Sequence, residues 1–225
     1  MNDNFNSENN DFEYTSSEKK FSLGKELFEW FYTIVIALVI AFVLKGFLFD
    51  IVRVDGPSMN PTLLHNDRLI VQKIAYTPSQ GDIIILDSKY KNRMEYYESI
   101  EENTGKTYSA IGKFFDYFNL DSSLKKRYYV KRIVALPGQT VDIKDGKVWV
   151  DGKVLDEPYY DGNTFITDVS VNYPVTVEKD HVFVLGDNRD NSTDSRSSSL
   201  SQVPFDAIMG RAVFRIFPFD DFGTI

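Results

Sequence analysis

The 225-residue chain contains no cysteine and only two histidines, His65 and His181. Without thiols it holds no disulfide scaffold, no thiolate metal site and no cysteine nucleophile. With two histidines, a zinc centre would fall mainly to carboxylates, which structural zinc disfavours, so no metal and no other cofactor is expected. Positive charge is also scarce: 25 Lys and Arg face 33 Asp and Glu, a net −8. The basic residues do not segregate, so a phosphate backbone would be repelled and nucleic acid is not an expected partner. Apolar residues are plentiful. A hydrophobic share of 43% with 15% aromatic exceeds what disordered chains carry and suffices for one sizeable core.

Residues 1–24 are polar, rich in Asn, Ser and Glu and nearly free of aliphatics, so burial cannot offset the entropy of ordering them and a disordered tail is predicted. Trp30 to Leu44 follow as an uncharged run between Glu29 and Lys45, extended by Leu27, Phe28, Phe47, Leu48 and Phe49. A bilayer core takes ~20 residues at ~1.5 Å each, so the run spans it only with those flanks and a snorkelling Lys45. A buried core helix would carry a polar stripe that is missing here, and a cleaved leader would need a small-x-small site that does not follow. A single-pass anchor over residues 25–49 is therefore expected, with membrane lipid as a partner. Lys19, Lys20 and Lys25 before the run, against Lys45 and Arg53 after it, lean toward a cytoplasmic amino terminus.

Beyond the anchor the pattern turns to period two. Short β-rich runs fall at 47–54, 68–73, 82–86, 128–135, 141–143, 147–150, 175–177, 181–185 and 208–217, and Asp145-Gly146 and Asp151-Gly152 read as hairpin turns. The fold class is mostly β, antiparallel sheets over 50–225, with a helical insertion at about 88–127. There Ile111, Phe114, Phe115 and Phe118 repeat at helical spacing, an aromatic face expected to pack on the β core, or else to rest on a membrane surface.

Three polar segments stand out. In Val54-Asp55-Gly56-Pro57-Ser58-Met59-Asn60-Pro61, glycine and proline set a tight turn that can lift the Ser58 hydroxyl out of a strand. Taken alone, such a turn is more often only a turn. In Tyr128-Tyr129-Val130-Lys131-Arg132-Ile133, two cations interrupt an apolar strand. Either one points to the core side, where a desolvated lysine becomes a working base, or both lie exposed on an edge strand. The third, Gly186-Asp187-Asn188-Arg189-Asp190-Asn191-Ser192-Thr193-Asp194-Ser195-Arg196, is a dense polar loop. Its acids lack the glycine and the terminal glutamate of a calcium loop.

Together with Gly81-Asp82-Ile83-Ile84-Ile85-Leu86, these blocks resemble the type I signal peptidases, membrane-anchored serine proteases with a Ser-Lys dyad. The resemblance runs from about residue 25 to 217, and the third segment matches the family pattern Gly-Asp-Asn-Arg-Asp-Asn-Ser-x-Asp-Ser-Arg at every defined position. It implies Ser58 as nucleophile, Lys131 as general base and Ser192 as the hydroxyl that orients the lysine amine. Arg132, Asp187, Asp194 and Arg196 become a supporting polar network. The Ser58 N–H becomes an oxyanion donor, and Gly56 stands where many relatives carry a serine as the second donor. Val54, Met59, Leu63, Tyr129 and Val130 become the walls of shallow pockets for small side chains.

The resemblance further implies signal peptides of exported preproteins as the partner, cut after an Ala-x-Ala segment on the extracytoplasmic face of the cell membrane. His65, seven residues after Ser58, is set aside as a triad member because it sits in a polar turn. Two rivals are a self-cleaving repressor, which would carry a DNA-binding helix-turn-helix, and a non-catalytic membrane-anchored β scaffold, which would have lost the serine or the lysine.

Overall fold

A computed structural model describes residues 23–43, 46, 48–105 and 107–225. The tail predicted over 1–24 lies outside the described residues up to residue 22, as do Leu44, Lys45 and Phe47. The chain divides into two compact units with the boundary at 42/43. The first contains helix α1, Leu23–Val43, except for its last residue. Its first turns hold Lys25, Glu26 and Glu29, and the large apolar side chains from Leu27 to Phe42 are exposed all round it. Among the described residues no helix is long and apolar enough to cross a membrane.

The second unit is built on antiparallel sheets. Strands β1 (Phe49–Arg53), β2 (Arg68–Gln72), β3 (Ile83–Asp87), β4 (Tyr128–Ala135), β9 (His181–Leu185), β10 (Val203–Pro204) and β11 (Ile208–Phe217) form one sheet in the order β1-β2-β11-β3-β4-β9-β10, with β12 (Gly223–Thr224) paired to β11. A smaller sheet runs β7 (Lys153–Val154), β6 (Lys147–Val150), β5 (Thr140–Lys144), β8 (Val175–Thr176).

β3 explains why the large sheet holds its place. Its side chains alternate across the pleat: Ile83 and Ile85 join Leu69, Val71 and Ala212 on one side, while Ile84 joins Ile133, Val182 and Val184 on the other. A strand apolar on both faces is stable only between two layers of core, and each fully buried aliphatic side chain contributes ~1.5–3 kcal/mol. A third cluster, Val141, Val148, Phe183 and Leu185 among its members, joins the small sheet to β9. The predicted Asp-Gly turns close β5 to β6 and β6 to β7, with positive φ at both residues of each pair.

Between β3 and β4 the insertion carries α2 (Tyr90–Thr104) and the short α3 (Ala110–Asp116). The aromatic face expected to pack on the β core does not do so: Ile111, Phe114, Phe115 and Phe118 are 62–70% exposed. Burial in the insertion falls instead to Arg93, Tyr97 and Leu120. Arg93 forms a buried ion pair with Asp87 at the end of β3 and donates to the Leu124 carbonyl, which leaves α3 on the outside.

Candidate active site

The turn that presents Ser58 begins where β1 ends. The Val54 amide donates to the Asp67 carbonyl (2.8 Å) and Val54 accepts from Asn66 (2.9 Å), pinning both ends of the segment between them. Gly56 takes φ +95°, open to glycine but strained for other residues, and its N–H donates to His65 Nδ1 at 3.2 Å. Gly56 is thus a turn residue whose amide is already engaged, and His65 braces the turn. Asn188 holds the other side: its N–H donates to the Ser58 carbonyl and its amide Nδ2 to the Pro57 carbonyl, both at 3.1 Å.

Lys131 reaches this turn from β4. That strand lies between β3 and β9, not at an edge, with Lys131 opposite Ile84 and Arg132 opposite Leu185. Of the two cations the lysine takes the interior position and is 2% exposed. Its Nζ lies 2.9 Å from Ser58 Oγ and 2.8 Å from the Val130 carbonyl. Burial pushes the amine down to about 8, against the opposing pull of Asp194 and Asp187. Arg132 turns to the polar loop, where it grips Asp187 through two hydrogen bonds (2.9 and 2.7 Å), donates to the Gly81 carbonyl and stacks on the Tyr159 ring.

The loop after β9 supplies the frame. Asp194 is buried, pairs with Arg196 at 2.9 Å and accepts from the Gly186 amide at 3.1 Å. Arg196 in turn donates to the Arg189 carbonyl, and Arg189 pairs with Glu157 and Thr164. A Cβ on Gly186 would come within 2.5 Å of the Ser58 carbonyl and 2.2 Å of Ser192 Oγ, so only glycine lets the loop approach the Ser58 turn this closely. Ser192 does not make the hydrogen bond to Lys131 that the resemblance implies. Its hydroxyl is buried without a partner among the described residues, facing Gly186, while the Val130 carbonyl takes an amine hydrogen instead.

An open cleft of about 220 Å³ runs over Ser58 and Lys131, walled by Val52, Val54, Tyr128, Tyr129 and Val130. Of the expected pocket residues Val54, Tyr129 and Val130 stand there. Met59 and Leu63 do not; both are fully buried in the core with Leu69, Val71 and Ile85, because the turn that lifts Ser58 outward drives its neighbour inward. Sequence reasoning also missed Asn191 and Thr193, which line the cleft, and Arg215. The latter donates to the Thr62 carbonyl (2.7 Å) and pairs with buried Asp67 (3.3 Å), both in the segment that follows Ser58. Val52, on β1 two residues before Val54, was legible from that spacing; Arg215, far downstream, gave no local signal. Among the described residues no group of three or more His, Asp or Glu is placed to hold a metal ion.

The family model described as "Signal peptidase, peptidase S26" matches residues 27–217. A signal peptidase I P of Bacillus subtilis subsp. natto is 34% identical over 215 residues, covering 92% of this chain and 97% of its own. The chain belongs to the signal peptidase family, peptidase S26. A signal peptidase I of Bacillus licheniformis is 33% identical over the same shares of both chains. A crystal structure of a signal peptidase I from Enterococcus faecalis V583 is 22% identical, covers 60% of this chain and 97% of that one, and has a TM-score of 0.39. In this member of peptidase S26 the matched span takes in Ser58, Lys131, the whole 186–196 loop and Arg215. It also crosses the insertion that carries the exposed aromatic face.

Proposed function

We propose that this signal peptidase removes signal peptides from exported preproteins by attack of Ser58 Oγ on the scissile carbonyl, with Lys131 as the base. The contact of 2.9 Å between Ser58 Oγ and a buried amine carries this reading. While the amine is protonated it donates to Oγ. Once neutral it holds one hydrogen on the Val130 carbonyl and turns its lone pair to the hydroxyl proton, so the same distance serves proton abstraction. The transferred proton then goes to the departing amine, and the neutral lysine next activates the water that releases the acyl group. The Ser58 N–H serves as an oxyanion donor, and the walls Val52, Val54, Tyr129 and Val130 favour small side chains before the cut.

Helix α1 and the residues after it are the anchor in this reading, with the amino terminus cytoplasmic and the second unit extracytoplasmic. A helix that exposes large apolar side chains around its whole circumference suits lipid better than water. Cleavage of a membrane-inserted preprotein by wild type, Ser58→Ala and Lys131→Ala tests the chemistry. Cleavage by the wild type alone is expected, and a Lys131→Ala protein with full activity overturns the dyad. Protection of residues beyond Asp50 from protease in sealed vesicles tests the topology.

A further inference from the structure

The insertion between β3 and β4 presents an unusual surface for so acidic a chain. Ile111, Phe114, Phe115 and Phe118 are 62–70% exposed, and the Phe114 ring meets those of Phe115 and Phe118 edge to face at 5.5 and 5.6 Å, so they form one patch. Around it stand basic residues. Lys125 donates to the Phe118 carbonyl at 3.5 Å and Lys126 follows it, both exposed, while Lys113 holds its ammonium over the Tyr97 ring and Arg127 its guanidinium over the Tyr129 ring. From Ser109 to Arg127 four basic residues face only two acidic ones, Asp116 and Asp121, in a molecule of net charge −8.

We propose that this patch is a membrane-contact surface, in which the four apolar side chains enter the interface of a bilayer containing anionic lipid and Lys125 and Lys126 meet its phosphates. Aromatic rings favour the headgroup region, and a basic rim adds attraction to anionic lipid that the acidic remainder of the chain does not provide. The surface is also mechanically linked to the cleft. Asp87 accepts from the Arg127 amide and pairs with Arg93, and Ser88 donates to the Arg127 carbonyl, so the insertion is fastened at its root beside Tyr128. Tyr128 lines the cleft. Contact at α3 therefore sets the height and tilt of the cleft over the lipid. The proposal rests on the reading that the enzyme is tethered to a bilayer.

Because the chain has no cysteine, Ile111→Cys gives the full-length protein a single thiol for an environment-sensitive fluorophore, and exposed Lys153→Cys on β7 gives a control. Each labelled protein is reconstituted into phosphatidylcholine vesicles with or without phosphatidylglycerol, containing nitroxide lipids, and vesicle association is read separately by flotation. The expected result is flotation of both proteins, at least twofold quenching at position 111 and none at 153. Quenching at 111 should deepen with phosphatidylglycerol, fall in the Lys125→Gln, Lys126→Gln protein and vanish when Phe114, Phe115 and Phe118 become serine. A protein that floats while position 111 is quenched no more than 153 overturns the surface and leaves the tether standing. A blue-shifted but unquenched probe with cross-linkable dimers assigns the patch to a second copy and overturns it too. A protein that does not float overturns the tether and the surface with it.

Discussion

At the scale of single residues, Lys131 is the base of the proposed mechanism, and its burial has consequences in both activity and stability. With the amine at about 8, the reactive neutral form grows about tenfold per pH unit below that value and saturates above it. The acidic limb of kcat/KM on a preprotein should therefore have its midpoint near pH 8. Asp187 and Asp194 hold the amine up, so Asp187→Asn should move the midpoint to lower pH; a limb that stays in place would mean the activity reports another group. The same burial costs stability. Below about pH 8 the folded lysine is charged in a desolvated site. Between about 8 and 10.5 the unfolded chain still binds the proton that the folded chain has released, so stability rises with pH across that window. The depression corresponds to roughly 3 kcal/mol, and losing the contacts to Ser58 and Val130 offsets ~1 kcal/mol each. Lys131→Met should thus be inactive yet ~1–2 kcal/mol more stable than wild type at pH 7, measurable as a higher midpoint of urea unfolding. A lower midpoint would show that the amine is not strained by its surroundings. Gly186→Ala should cost at least a hundredfold in kcat, since its methyl group would meet the Ser58 carbonyl and push the nucleophile turn away from Lys131.

Elements bring these residues together, and here the sequence was legible to different depths. Strands β4, β6, β9 and β11 stand where the period-two runs predict them, and the Asp-Gly pairs turn as their chemistry requires. Local patterns carried that information because alternation and turn propensity are properties of neighbouring residues. Side-chain direction around the Ser58 turn was not legible: Met59 and Leu63 face the core, which depends on how β2, β3 and β11 close over that loop. The insertion misled for the opposite reason. Helical spacing gave α3 an apolar face but could not say what it faces, and the buried Asp87–Arg93 pair places Tyr97, not the phenylalanines, inward. Strand order decided the two cations of β4 as well, since only a central strand buries Lys131. The loop 186–196 binds β9 to the Ser58 turn through Asn188, whose side chain reaches the Pro57 carbonyl. Asn188→Ala should lower kcat about tenfold with KM little changed, because the turn loses one of its braces while the cleft walls stay. A rise in KM at constant kcat would assign Asn188 to substrate binding instead.

For the whole molecule, the decisive arrangement is a catalytic unit joined to a helix that displays its apolar side chains on every side. On its own the run from Trp30 to Val43 covers ~21 Å of the ~30 Å bilayer core, so as the proposed anchor it depends on the residues that flank it. In the proposed reading, so marginal a length makes the anchor sensitive to charge. Val35→Arg with Val39→Arg places two guanidinium groups in the middle of the run, each costing ~2.5–3.5 kcal/mol against insertion, while leaving the second unit and its Ser58–Lys131 contact untouched. If the helix exists to confine enzyme and preprotein to one surface, the double variant should lose flotation with vesicles, and its rate on a membrane-inserted preprotein should fall by about 10²–10⁴ as the gain in effective concentration is lost. Hydrolysis of a short soluble peptide ending in Ala-x-Ala should stay within about twofold of wild type, since orientation within the cleft is unchanged. Equal losses on both substrates would mean the helix supports the catalytic unit itself, and equal retention would mean that cleavage does not need the shared bilayer.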